Sequence, residues 1–201
     1  MSILSFISNI IKLLTVIYKQ KTSKEKYNSM IDGIIVKDIK KFVDERGFFS
    51  ELLREDWKDL LFEDKIVQFN LSFSYLDIVR AWHRHLKGQI DYFICITGAI
   101  KVCAYDDRED SPTYGELDEI VLSEEHIKVA RVPGILWHGY KTIGTKPIKM
   151  LYGVNNLYNY SDPDEERRDW NDITIVPKSI NGKTNDPRVG KPWDWYYSPN
   201  K

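Results

Sequence analysis

The sequence predicts an all-β fold, a sandwich or barrel built as one domain. Three observations predict it. From residue 30 onward, short segments of apolar and β-branched residues recur at close spacing and are broken by turn residues. Only one stretch, Arg54–Phe62, has helical character, and it is short. The chain is 201 residues long and 42% hydrophobic, enough for a single substantial core.

The segments follow in order. Residues 1–29 form an N-terminal extension: Ser2 to Tyr18 is mostly apolar, Lys12 interrupts it, and Lys19 to Lys26 is mostly basic. The apolar part is about as long as the shortest membrane span, and no small-residue cleavage site follows it. It reads as a surface helix, as a weak anchor, or as sequence upstream of a true start at Met30. The domain proper is expected over residues 30–201. Strands are expected at Ile34–Val36, Gly47–Glu51, Ile66–Phe73, Ile78–His85, Tyr92–Thr97, Ile100–Tyr105, Glu119–Leu122, Val129–Val132, Trp137–Lys141 and Ile148–Val154. Asp-Glu-Arg-Gly, Thr-Gly, Pro-Gly and Gly-Thr-Lys-Pro separate several of them. From Pro177 the chain is irregular and then aromatic, ending in Trp193-Asp-Trp-Tyr-Tyr197, a tail that wraps the barrel or a partner.

With 29 basic and 30 acidic residues, no electrostatic footprint for nucleic acid is present. The acidic runs Asp106–Asp110 and Asp162–Asp169 read as solvated loop faces and receive no metal. Cys95 and Cys103 sit inside apolar runs without a CxxC pair, as buried reduced thiols of a cytoplasmic protein do. No membrane association of the domain is expected.

Three of the four histidines fall in two motifs. The first is Arg80-Ala-Trp-His83-Arg-His85. Side chains alternate along a strand, so His83 and His85 share one face while Trp82 and Arg84 take the other. The second is Val132-Pro-Gly-Ile-Leu-Trp-His138-Gly, a turn that feeds a strand bearing a third imidazole. Two histidines on one strand and one on a later strand converge in the mouth of a barrel.

HxH followed by Gly98 and then PGxxxH resembles the two motifs of the cupin superfamily, which implies a double-stranded β-helix, or jelly roll, with a short helix and an irregular C-terminal tail. Six segments in register resemble the dTDP-4-dehydrorhamnose 3,5-epimerase family: Asp44–Glu51, Gln68–Ser74, Arg80–His83, Asp107–Gly115, Pro133–Gly139, and Leu151-Tyr152 through Glu165 to Trp170-Asn-Asp172. The resemblance covers roughly two-thirds of the chain. It implies an isomerase acting on a dTDP-4-keto-6-deoxyhexose, in deoxysugar and polysaccharide biosynthesis. Such an enzyme inverts C3, C5 or both by removing a proton next to the ketone and returning it to the opposite face. It implies His83 as general base and Tyr152 as opposing acid. Arg46, Glu51, Gln68, Asn70, Arg80, His138 and Tyr158 match positions that hold the nucleotide sugar, with His85 and Asp91 beside them. It implies a homodimer, with N-terminal strands exchanged as one arrangement, and no cofactor. Arg80 and His83, three apart, share one pocket only if a bulge interrupts the strand at Ala81-Trp82.

Three positions depart from the family. Asp91 stands where the family carries a lysine at the enolate oxygen. Asp186 is the weak match for the aspartate that pairs with the base. His85 replaces a Gln-like residue and gives the HxH of the related sugar-nucleotide 3,4-ketoisomerases. The departures keep other readings open: a 3,4-ketoisomerase, a metal-dependent cupin enzyme with one divalent ion on His83, His85, Asp91 and His138, and a non-catalytic sugar-binding module. Metal content separates the metal-dependent enzyme from the rest, and turnover of a keto-sugar separates enzyme from module.

Overall fold

The computed structural model describes residues 30–198, so the N-terminal extension lies outside the described residues. Thirteen strands and one short helix follow in order: β1 (Ile35–Asp38), β2 (Phe42–Asp44), β3 (Gly47–Phe49), α1 (Lys58–Leu61), β4 (Gln68–Ser74), β5 (Val79–Arg84), β6 (Ile90–Thr97), β7 (Ala99–Tyr105), β8 (Glu116–Ser123), β9 (Lys128–Pro133), β10 (Trp137–Ile143), β11 (Ile148–Val154), β12 (Glu166–Arg167) and β13 (Ser179–Ile180). One sheet runs β1-β9-β6-β11-β4 and the second β12-β5-β10-β7-β8-β13. All pairings are antiparallel except β8 with β13. Two sheets packed face to face, with neighbours far apart in sequence, form the jelly roll that the sequence predicts.

Period-2 alternation sorts each strand between layers. Between the sheets, Phe93 and Cys95 of β6, Ile148 and Met150 of β11, Val102 and Ala104 of β7, and Tyr140 of β10 build the central core. Tyr92 and Ile94 face the other way and pack with Val129, Leu60 and Leu61. Outside the second sheet, Trp82, Cys103, Tyr105 and Trp137 pack under Trp193 and Trp195. The tail therefore wraps its own barrel.

The helix is shorter than expected. Trp57 occupies its N-cap and supplies no side-chain acceptor, and Phe62 ends it at φ +53°. Three strands escaped the sequence pattern. β12 and β13 are two residues long, and β2 is exposed throughout. Gly98 turns β6 into β7 at φ +75°, and a Cβ there would lie 2.8 Å from Ile148 and 3.1 Å from the Pro147 carbonyl. Only glycine accepts both conditions.

The acidic run at Asp106 is a correction. Asp106 is fully buried and accepts hydrogen bonds from Arg108, Ser111 and Thr113. Asp107 accepts from Trp137 Nε1 at 2.7 Å and from Arg168 at 3.0 Å. A run of charge averages as solvated, yet a turn donating several hydrogen bonds at once holds a carboxylate inside.

Candidate active site

β5 and β10 pair so that His83 stands opposite His138 and Arg80 opposite Tyr140. Three residues of β5 span what two of β10 span, so Ala81 and Trp82 form the expected bulge opposite Gly139. The bulge brings Arg80 back to the face of His83, while Trp82 turns into the outer core. The Ala81–Trp82 peptide bond is cis. The imidazoles gather as expected. Ring centroids of His83 and His138 are 4.2 Å apart, and His85 lies 5.7 Å from His83 and 5.6 Å from His138.

The opposite wall comes from the first sheet. Tyr152 of β11 stands between Asn70 of β4 and Phe93 of β6. The Phe93 ring lies 6.0 Å from His138 and 5.9 Å from Tyr152, so it bridges the two walls. Along β4, Gln68, Asn70 and Ser72 are half-buried, while Phe69, Leu71 and Phe73 are exposed. Gln68 donates to Asn70 at 2.8 Å and accepts from the Tyr158 amide at 3.1 Å. Tyr158 lies at the rim with its ring against Tyr160. Arg80 donates to Ser74 at 3.0 Å, and Ser72 and Ser74 both reach the Tyr140 hydroxyl at 3.0 Å. An open cleft of about 410 Å³ adjoins this rim, lined by Val67, Lys87, Gln89, Asn155 and Tyr158 among others.

Burial, then the neighbouring His138 and His85, hold the His83 imidazole well below its ordinary range. No hydrogen bond fixes its ring among the described residues. Asp186, the weak candidate for its partner, is committed elsewhere: Arg188 binds it at 2.9 Å and also reaches Glu119. Burial and the nearby Asp91 charge raise the Tyr152 phenol above its ordinary range, so it keeps its proton at neutral pH.

His85 and His138 are anchored differently from His83. His138 Nδ1 meets the Leu136 carbonyl at 2.8 Å, and His85 Nδ1 meets the Asp164 carbonyl. Their Nε2 atoms both face Asp91 Oδ2, at 3.2 Å from His138 and 3.7 Å from His85. Ligand atoms of His83, His85 and His138 lie within 4.8 Å of one another, a spacing that a divalent ion could bridge. The acidic turn Asp162–Asp164 holds this end of the site, because Asp164 also accepts from the Leu86 and Lys87 amides.

Two predicted residues stand apart. Arg46 sits at the tip of the β2–β3 hairpin, which pairs with neither large sheet, and it binds Asp44. Glu51 binds Arg54 at 2.5 Å. Sequence reasoning missed Gln89, which donates to Asp91 Oδ1 at 3.1 Å. It lies two residues before Asp91, and a period of two could have found it. Asp164 and Asp107 carry no sequence signal for their roles.

Comparison with known proteins decides the family. The model of the dTDP-4-dehydrorhamnose 3,5-epimerase family matches residues 28–191. The chain belongs to the dTDP-4-dehydrorhamnose 3,5-epimerase family. As a member of this epimerase family it is an isomerase. The probable low-salt glycan biosynthesis epimerase Agl13 of Haloferax volcanii is 46% identical over 150 residues, covering 70% of this chain and 95% of the relative. The spore coat polysaccharide biosynthesis protein SpsL of Bacillus subtilis is 40% identical over 146 residues, covering 73% and 94%. Among solved structures, the RmlC epimerase of Legionella pneumophila, in complex with dTDP-4-keto-L-rhamnose, superposes with TM-score 0.67 at 24% identity. That superposition covers 86% of this chain and 84% of the other. At that identity the likeness establishes the fold. The 3,4-ketoisomerase reading draws no support from these relatives of the epimerase family.

Proposed function

We propose that this epimerase acts on a dTDP-4-keto-6-deoxyhexose, with His83 as general base and Tyr152 as the acid on the opposite face of the sugar ring. The observation that supports the reading is that His83 and Tyr152 stand on opposite sheets, with the Phe93 ring between Tyr152 and His138, whose own ring lies 4.2 Å from that of His83. A proton next to a ketone is removed in the plane of one wall, and the resulting enolate takes a proton from the other. The ketone is itself the electron sink, so the reaction needs no redox or organic cofactor. Gln68, Asn70 and Tyr158 supply hydrogen bonds at the rim, and Arg80 supplies a planar cation suited to a diphosphate.

Residues 30–201 are the catalytic unit in this reading, and it works as a homodimer. The isolated β2–β3 hairpin carries exposed Phe42, Val43, Phe48 and Phe49. A second copy covers that arm, and Arg46 at its tip enters the partner's cavity to meet phosphate. A nucleotide-sugar substrate and two buried free cysteines fit a cytoplasmic enzyme. Among the described residues no helix is long and apolar enough to cross a membrane.

Solvent deuterium exchange into dTDP-4-keto-6-deoxyglucose, followed by NMR, tests the roles. His83→Asn should slow exchange by about 10²–10⁴-fold while nucleotide binding persists. Tyr152→Phe should retain exchange at the abstracted carbon and lose inversion. Wild-type exchange rates in His83→Asn would remove His83 as the base.

A further inference from the structure

We infer that Asp107 is a positioning residue for the epimerisation: from behind the second sheet it clips together the strand segments that carry His83 and His138. The inference rests on the reading of His83 as the base.

Alternation along the strands sets the arrangement. Where His83 and His138 face the cavity, their neighbours Trp82, Arg84 and Trp137 face the opposite side of the same sheet. Trp82 and Trp137 are buried there beside the aromatic tail. Asp107 follows β7 by two residues, and β7 pairs with β10 so that Tyr105 stands opposite Trp137. The Asp107 carboxylate thus reaches the back of the histidine strands. Its Oδ2 accepts from Trp137 Nε1 at 2.7 Å and from Arg168 Nη2 at 3.0 Å, and its Oδ1 accepts from Arg84 Nη1 at 3.4 Å.

Each donor is tied to a residue beside an imidazole. Arg84 directly follows His83, and Trp137 directly precedes His138. Arg168 exchanges two backbone hydrogen bonds with Trp82, at 3.2 and 3.0 Å, and Trp82 directly precedes His83. One carboxylate therefore holds the chain on both sides of His83 and on one side of His138. The guanidiniums of Arg84 and Arg168 also lie 4.5 and 4.1 Å from the centre of the Trp137 ring. Without the carboxylate they share, two like charges packed on one indole repel each other.

The base needs this support. The His83 ring takes no hydrogen bond among the described residues, and Asp186 is bound to Arg188. The orientation of His83 therefore comes from its strand. Proton abstraction tolerates little misplacement, since a shift of about 1 Å can cost about 10²-fold in rate. All three partners of Asp107 lie behind the sheet, so it acts through the strands and not on the substrate. Arg84 also binds Glu166 at 2.7 Å, and Arg168 also donates to Thr174 at 3.3 Å, so each arginine keeps a partner when Asp107 is changed.

The test uses full-length protein and dTDP-4-keto-6-deoxyglucose. Asp107→Asn is nearly isosteric but offers one acceptor oxygen and an amide NH2 that faces donors, so one side of the clip must open. Its kcat should fall about tenfold or more, with KM and the Kd of dTDP within about twofold of wild type. Asp107→Glu restores the charge and both oxygens and should recover at least about threefold of that loss. In a His83→Asn background, Asp107→Asn should leave the residual deuterium exchange unchanged, because no base remains to be positioned. Circular dichroism and thermal melts give the folded fraction of each variant. If Asp107→Asn does not fold, Arg84→Gln, on a partly exposed side chain, carries the same expectations. Wild-type kcat in the folded Asp107→Asn enzyme overturns the inference. So does a fall in kcat matched by loss of folded protein or of dTDP binding, and so does an equal further loss in the His83→Asn background. Wild-type exchange in His83→Asn sinks the base. Wild-type kcat in Asp107→Asn beside an inactive His83→Asn sinks only the clip.

Discussion

Asp106 shows how one side chain can set the acid limit of this molecule. Burial pushes its carboxyl up, but hydrogen bonds from Arg108, Ser111 and Thr113 overcome that and hold it down at about 2, against an ordinary 3.8. A carboxyl held lower in the folded than in the unfolded chain stabilises the fold fully above its unfolded value. That contribution is lost as pH falls from about 4 through about 2. Thermal melts of the wild type should therefore drop steeply across this window. Asp106→Asn should melt lower at pH 7 and show a flatter decline below pH 4, and an unchanged slope would place the acid sensitivity elsewhere. The same scale explains what was legible. His83, His85 and His138 could be found because a strand repeats every two residues, and alternation is written in the sequence. Asp106 and Asp107 could not, since their burial depends on donors from a turn and from residues such as Arg168, 61 positions away.

At the scale of elements, the pairing of β5 with β10 does most to build the site. The clash between the offset of Arg80 and His83 and a regular strand already announced a bulge, and the register contains one. Gly139 is what admits it. A Cβ at that position would lie 2.3 Å from the Ala81 Cβ and 2.6 Å from the Arg80 carbonyl oxygen. Gly139→Ala should destabilise the protein by about 1–3 kcal/mol, as overpacking does. Because the displaced backbone carries His83, kcat should fall further than the loss of folded protein accounts for. Urea melts and activity measured on the same samples check this, and wild-type kcat in the Gly139→Ala enzyme would show the bulge to be dispensable. The long strands were all legible, from Gln68–Ser74 to Ile148–Val154, because each is a run of apolar and β-branched residues bounded by turn residues. β2, β12 and β13 were not. They are short, and they exist because a neighbour offers hydrogen bonds, which no local pattern records.

At the scale of the whole molecule, Arg46 and Glu51, the two predicted residues that lie before β4, make local ion pairs with Asp44 and Arg54 and none with the histidine cluster. If the hairpin arm completes a partner's cavity, two defective chains should rescue each other. Arg46→Ala and His83→Asn proteins, unfolded together and refolded as a mixture, should regain up to about a quarter of the wild-type sites, since half of the dimers are mixed and each mixed dimer has one intact site. Refolded separately, neither should recover. Absence of rescue in a mixture shown to contain mixed dimers would return Arg46 to its own chain or to no role.

Trp82, directly before His83, is 1% exposed, and the ring that covers it belongs to Trp195, with centroids 4.8 Å apart. During synthesis the strand with the histidines leaves the ribosome more than a hundred residues before its cover does. A nascent chain thus carries the histidine strand with its hydrophobic back open until the stretch around Trp195 emerges. Prematurely terminated products lacking that stretch would expose Trp82 and Trp137 as a sticky surface, the kind that chaperones and proteases recognise. Strand β5 and a segment more than a hundred residues downstream are thus tied together by this one aromatic contact.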